Sequence, residues 1–137
     1  MLSIIFKKQH LPFPRILSPG GYYDKAINGS DGTAIGTGEQ NTIDIVNDAS
    51  SEDDMAACLC YDLELNGYDD WFLPSKDELN LMYINLQLNG FCAFSNNGYW
   101  SSSEYSLNYA WGQAFHDGSW FYVQKNYNRS VRAIRSF

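Results

Sequence analysis

The sequence predicts an α+β domain in which two main helices pack on small antiparallel sheets, with much irregular loop between them. Three features predict it. The middle of the chain carries two stretches with apolar residues at helical spacing, around Met55–Leu63 and Leu79–Leu86. From Tyr99 onward, aromatic runs rich in Ser, Asn and Gly are cut by tight-turn sequences, the signature of antiparallel strands. Ahead of Gly38, prolines and glycines recur too often for long regular elements. At 137 residues the chain reads as a single domain, 1–137, and a chain of this size buries about two thirds of its unfolded surface in one core.

Taken in order, Leu2 to Phe6 is a short β-type run closed by Lys7 and Lys8, and Pro12 and Pro14 then force an extended course. Ile16-Leu17 and Tyr22-Tyr23 read as short strands around a turn at Ser18-Pro19-Gly20-Gly21. Asn28 to Gly38 is a glycine-rich loop. A phosphate cradle would need a Gly-Lys-Ser/Thr ending, or a strand before it and a helix directly after, and no lysine follows, so it reads as a plain loop.

Asn41-Thr42 can cap a short helix through Ile43, Ile45 and Val46. Ser50 or Ser51 can cap a second that begins with Glu52, Asp53 and Asp54, three acids suited to the positive end of the helix dipole. A metal site is the weaker reading of that run, because adjacent helical residues point in different directions. Met55, Leu59 and Leu63 give its apolar stripe, and Asn66-Gly67 ends it.

Trp71, Phe72 and Leu73 form a short buried strand stopped by Pro74. Ser75 and Glu78 have capping-box spacing for a helix whose face is Leu79, Met82 and Leu86, running to about Leu88 and stopping near Asn89-Gly90. Asp69, Asp70, Asp77 and Glu78 resemble a catalytic carboxylate pair only superficially, since helix-start chemistry and a solvated turn account for them.

In the last third, Trp111, Gln113 and Phe115 alternate with Gly112, Ala114 and His116, so one strand face reads as scaffold and the other as displayed surface. After the turn His116-Asp117-Gly118-Ser119, Trp120 to Gln124 holds too many aromatics for one buried face, so some of Phe121, Tyr122 and Val123 meet solvent or a partner. Tyr and Trp mixed with Ser, Asn and Gly is the composition of recognition loops. Lys125, Arg129, Arg132 and Arg135 read as outward charges of a closing strand.

The formal net charge of -7 argues against nucleic acid as a partner, because a phosphate groove needs a basic field. Cys58, Cys60 and Cys92 cannot all pair within one chain and read as buried thiols, with a Cys92 disulfide as the alternative. No segment has the length of a membrane span, so direct membrane insertion is not expected, and the first residues lack the order of a secretion signal. His10 and His116 are the only histidines, and neither sits in a defensible catalytic arrangement. No catalytic residue, metal ligand or cofactor is expected.

Six motifs appear in order: GTAIGTG (Gly32 to Gly38), NT-x-x-IV (Asn41 to Val46), GY-x-DW-x-LPSKDELNLMY (Gly67 to Tyr83), YWSSSE (Tyr99 to Glu104), AW-x-Q-x-F-x-x-G (Ala110 to Gly118) and VRAIR-x-F (Val131 to Phe137). Together they resemble a bacterial and phage family with a C-type-lectin-like fold of the formylglycine-generating-enzyme subtype. Within it they are most similar to the variable proteins of diversity-generating retroelements, with collagen-like surface adhesin C-terminal domains as relatives. The resemblance runs from about Gly29 to the C-terminus; Met1 to Ala26 does not match the family's opening strand.

That resemblance implies a non-catalytic binding protein whose C-terminal region, 99–137, is diversified by error-prone copying of template adenines. The implied ligand-binding positions are Tyr105, Ser106, Leu107, Asn108, Tyr109, Gly112, Ala114, His116, Asp117, Ser119, Phe121, Tyr122, Val123, Asn126, Tyr127, Asn128 and Ser130. Each residue type there is reachable from an Asn codon by changing adenines. Trp120 is not, and it reads as scaffold. The expected partner is a protein ligand on a cell surface, with a glycan bound without calcium as the alternative, and the expected location is a bacterial surface or phage particle. An oxidase like the enzyme that names the subtype would need a reactive cysteine pair in the C-terminal half, where Cys92 stands alone.

Overall fold

The computed structural model of the chain describes residues 17–21, 24–49, 55–91, 94 and 97–136. The expected strand at Leu2–Phe6, the Pro12/Pro14 segment, Ile16, the Tyr22-Tyr23 strand, the Ser50–Asp54 helix start and Cys92 lie outside them. Among the described residues five strands form one sheet: β1 (Leu17–Pro19), β2 (Gly98–Glu104), β3 (Tyr109–Ala114), β4 (Trp120–Gln124) and β5 (Asn128–Ser130), ordered β1-β5-β2-β3-β4. Neighbours are antiparallel except β2 and β5, which meet in parallel at Tyr99 and Ser130. Among the described residues three helices accompany it, α1 (Gly38–Asp48), α2 (Ala56–Tyr61) and α3 (Lys76–Met82), the last widening into π-helical turns over Tyr83–Gln87. This is the α+β arrangement of a C-type-lectin-like fold.

Two apolar clusters flank the sheet, and adjacent residues of β2 divide between them because strand side chains alternate. Trp100 joins Ala110 of β3 to Ile45 of α1 and to Ala56, Ala57, Cys58 and Cys60 of α2. Tyr99 joins Phe115 and Phe94 to Leu79, Met82 and Leu86 of the α3 segment. The predicted stripe Leu79, Met82 and Leu86 is therefore buried as one face. Past it, Leu88 N–H donates to Tyr83 O, five residues back, and Gly90 ends the segment at φ 66°.

The capping box at Ser75 and Glu78 is present in both directions. Glu78 is fully buried, and its other oxygen accepts from Gly36 N–H in the glycine-rich loop. That loop is stitched to the rest of the molecule. Ser75 Oγ donates to Ala34 O, Asp77 N–H to Thr33 O, Ser103 Oγ to Gly32 O and Glu104 N–H to Ser30 O. Gly38 sits where a Cβ would meet Ser75 N at 2.7 Å and Leu73 O at 3.0 Å.

Several expectations are corrected. α1 begins at Gly38, so Asn41 and Thr42 are not caps; they are buried inside the helix. Asn41 Nδ2 donates to Gly32 O, while Thr42 Oγ1 accepts from Leu73 N–H, so both tie the helix to neighbouring segments. Within the described residues α2 starts after Met55 and ends at Tyr61, ahead of Asn66-Gly67. Those two instead make a tight turn with φ 56° and 80°, closed by reciprocal main-chain bonds between Leu65 and Tyr68. Ser18 and Pro19 belong to β1 instead of a turn, and Val131 onward contributes only a bridge from Ile134 to Phe72. Lys125 is the largest departure: it is 2% exposed, not outward.

Candidate functional site

The β3–β4 hairpin positions most of the expected ligand-binding residues. Its register pairs Tyr109 with Gln124, Trp111 with Tyr122 and Gln113 with Trp120 on one face, and Ala110 with Val123 and Gly112 with Phe121 on the other. On the first face, Tyr105 stacks on Tyr122 with centroids 4.2 Å apart and planes 13° apart. Trp111 presents its edge geometry to both, at 5.0 Å and 5.7 Å, and Tyr109 stands 6.0 Å from Tyr122. Tyr105 and Tyr122 are 47% and 52% exposed, so the cluster is open to solvent. Toward the hairpin tip the same face is closed: Gln113 is fully buried and its Nε2 donates to Asn80 Oδ1 and Gly118 O.

The Tyr105–Asn108 loop that feeds this cluster is held by its main chain. Lys125 Nζ donates to Leu107 O, to Lys25 O and to the Glu104 carboxylate at 2.6 Å, and Lys125 N–H donates to Asn108 O. Tyr105 N–H and Ser106 N–H both donate to Tyr109 O. Ile27 N–H also donates to Glu104. The pair Lys125–Glu104 is nearly excluded from water, at 3% and 11% side-chain exposure, where a lone charge would be costly. The ion pair thus fixes the loop without touching its side chains, although Asn108 Oδ1 does accept from Asp24 N–H.

The remaining expected positions scatter. Leu107 is exposed near Tyr105, and Asn126 and Tyr127, in the turn between β4 and β5, and Asn128, the first residue of β5, are exposed at the same end of the hairpin. His116, Asp117 and Ser119 are exposed at the opposite tip of the hairpin. There Asp117 accepts from Ser119 N–H and Oγ, and those bonds, with His116 nearby, hold its carboxyl below the usual range. Ser106, Asn108, Tyr109, Ala114, Phe121 and Val123 are half-buried.

Gly112 and Ser130 do not face solvent as expected. Phe121 lies across Gly98 and Gly112, and a Cβ on Gly112 would meet its ring and also Tyr99 O at 2.7 Å. Ser130 is 4% exposed in β5, opposite Tyr99. The strict division into a Trp111 scaffold face and a Gly112 display face is therefore corrected. Trp111 belongs to the open cluster, and Gly112 is covered because its strand partner is a large ring.

Besides Trp111, two residues outside the expected set share the cluster. Trp120, read as scaffold, and Lys76, at the start of α3, both adjoin it, with Lys76 Nζ 4.3 Å from the Trp111 ring centre and 4.8 Å from that of Trp120. Neither was legible beforehand, because hairpin register and helix placement bring them there.

Elsewhere, Arg135 grips Asp70 with two bonds of 2.6 Å and 2.7 Å, and that side-chain pairing lowers the Asp70 pKa and raises that of Arg135. Of the four acids near α3, Glu78 is thus spent on the capping box and Asp70 on Arg135. Cys58 and Cys60 are buried, and burial, with Cys58 adding to it, pushes the Cys60 thiol up. Among the described residues no group of three His, Cys, Asp or Glu side chains is placed to hold a metal ion.

No curated protein matches the chain at a significant level. Residues 27–135 match the family model described as the Lcl C-terminal domain, a span that takes in the glycine-rich loop, the α3 cap, the YWSSSE strand and the hairpin. The chain therefore belongs to the Lcl C-terminal domain family, a non-catalytic variable binding domain with a C-type-lectin-like fold found in proteins associated with diversity-generating retroelements.

Proposed function

We propose that this chain is a non-catalytic receptor-recognition module that binds a protein ligand on a cell surface, acting outside the cell on a bacterium or phage particle. The observation that carries the reading is the open cluster of Tyr105, Tyr109, Trp111 and Tyr122, in which Tyr105 comes from a loop anchored through main-chain carbonyls and the other three from the β3–β4 hairpin. Aromatic anchors of this kind dominate protein interfaces when they are rigidly held. Diversification of the exposed positions by a retroelement fits that anchoring, since loop side chains can change while the bonds that place the loop remain.

The reading is tested by screening the purified domain against a panel of bacterial surface proteins and a glycan array, with and without calcium. A protein hit that weakens about tenfold or more in Tyr105→Ser or Tyr122→Ser is the expected result. A glycan hit with no protein hit would replace it by the adhesin reading. The diversification claim has its own check in the neighbouring DNA, where a near-copy of the 3′ end differing at adenines is expected.

A further inference from the structure

Lys76 breaks a local rule. It is the first residue of α3, where the helix dipole disfavours a cation, and departures of this sort from local preference tend to mark functional positions. Its main chain is nevertheless firmly placed, since Lys76 N–H donates to the buried Ser103 Oγ and the preceding Ser75 closes the capping box. The side chain is half-buried, and its ammonium lies between the rings of Trp111 and Trp120. Among the described residues no carboxylate or carbonyl accepts from it, although the chain carries 16 acidic residues against 9 basic ones.

We propose that Lys76 is a carboxylate-binding element of the recognition surface, and that the partner presents an acidic protein segment whose Asp or Glu side chain docks on this ammonium while neighbouring apolar groups lie on Tyr105 and Tyr122. The indole faces hold the cation in place and shield it from part of its hydration, while any N–H not directed at the rings stays available for an incoming acceptor. Continuity supports a single site: Trp111 touches Lys76 on one side and Tyr105 and Tyr122 on the other. Lys76 and Trp120 also lie outside the set of positions expected to vary. A repertoire built on this frame would therefore share one fixed charge preference while its aromatic and polar contacts change. The proposal rests on the recognition reading above and names the chemistry of the ligand it takes.

The test uses the isotopically labelled domain and two acetylated, amidated tripeptides, Leu-Glu-Leu and Leu-Gln-Leu, with the indole N–H signals of Trp111 and Trp120 as the readout. The Glu peptide is expected to shift both signals at millimolar concentration, with the Gln peptide about fivefold weaker. The preference should vanish in Lys76→Gln, survive in Lys76→Arg and shrink with added salt. Equal binding of the two peptides, no shift with either, or an unchanged preference in Lys76→Gln overturns the proposal. Tighter binding of sialyllactose than of the Glu peptide overturns the protein-segment source. Equal peptide binding that is lost in Tyr105→Ser would remove Lys76 from the site while leaving the aromatic recognition surface standing, so the two failures are distinguishable.

Discussion

The interior frame around Glu78 and the open cluster around Tyr122 are built from opposite kinds of contact. In the frame, Ser75, Glu78, Asn41, Thr42 and Ser103 each spend a polar side-chain atom on the main chain of a different segment, inside a region closed to water. Removing one such atom strands a buried partner, so these positions tolerate little change. In the cluster, contacts are ring against ring at half-exposed positions, and a lost ring is replaced by water. The loop between the two regions is tied down by carbonyl groups that every residue type possesses. A surface can therefore vary beside an interior that cannot, because the bonds that place it do not depend on what it displays.

Breaking the anchor should have the largest effect. Lys125→Met leaves Glu104 as a nearly buried charge without its partner and is expected to lose about 3–5 kcal/mol in urea unfolding; a loss below about 1 kcal/mol would mean that the pair does not hold the loop. Glu78→Ala comes next. It strands Gly36 N–H and Ser75 N–H, at an expected cost of about 3 kcal/mol. Gly112→Ala forces a methyl group against the Phe121 ring and Tyr99 O, with an expected cost of about 1–3 kcal/mol. Adding Phe121→Ala should recover part of that loss but not all, since the carbonyl remains; a neutral Gly112→Ala would restore position 112 to the set that is free to vary. At the small end, Tyr105→Ser and Tyr122→Ser should each change stability by about 1 kcal/mol or less, while thermal melts keep their cooperativity. A loss as large as that from Glu78→Ala would make the cluster part of the core and end the contrast.

Much of this was legible in local sequence. The Ser75–Glu78 capping box, the Leu79–Met82–Leu86 face and the Asp117-Gly118 turn follow from spacing and backbone preference, which act within a few residues. The aromatic density after Tyr99 announced a surface, and its Tyr members did emerge at half-exposed positions. Asn41 and Thr42 misled, because the same side chains that cap helices also bond main chain from within a helix when a neighbouring segment offers it. Trp111 and Gly112 misled for a different reason: period-two alternation states which residues share a face, but not which face is covered.

By itself the sequence determined the α3 cap and its apolar face, the Asp117-Gly118 turn, the acidic balance and the six-motif resemblance, all of which depend on short-range order or composition. Only tertiary structure decided that Lys125 lies inside against Glu104, that Phe121 closes over Gly112, and that Lys76 meets Trp111 and Trp120. Those outcomes join residues from about 20 to more than 40 positions apart or across a hairpin. Burial, register and pairing between such segments are set by how the sheet and helices pack as a whole, and no local preference encodes them.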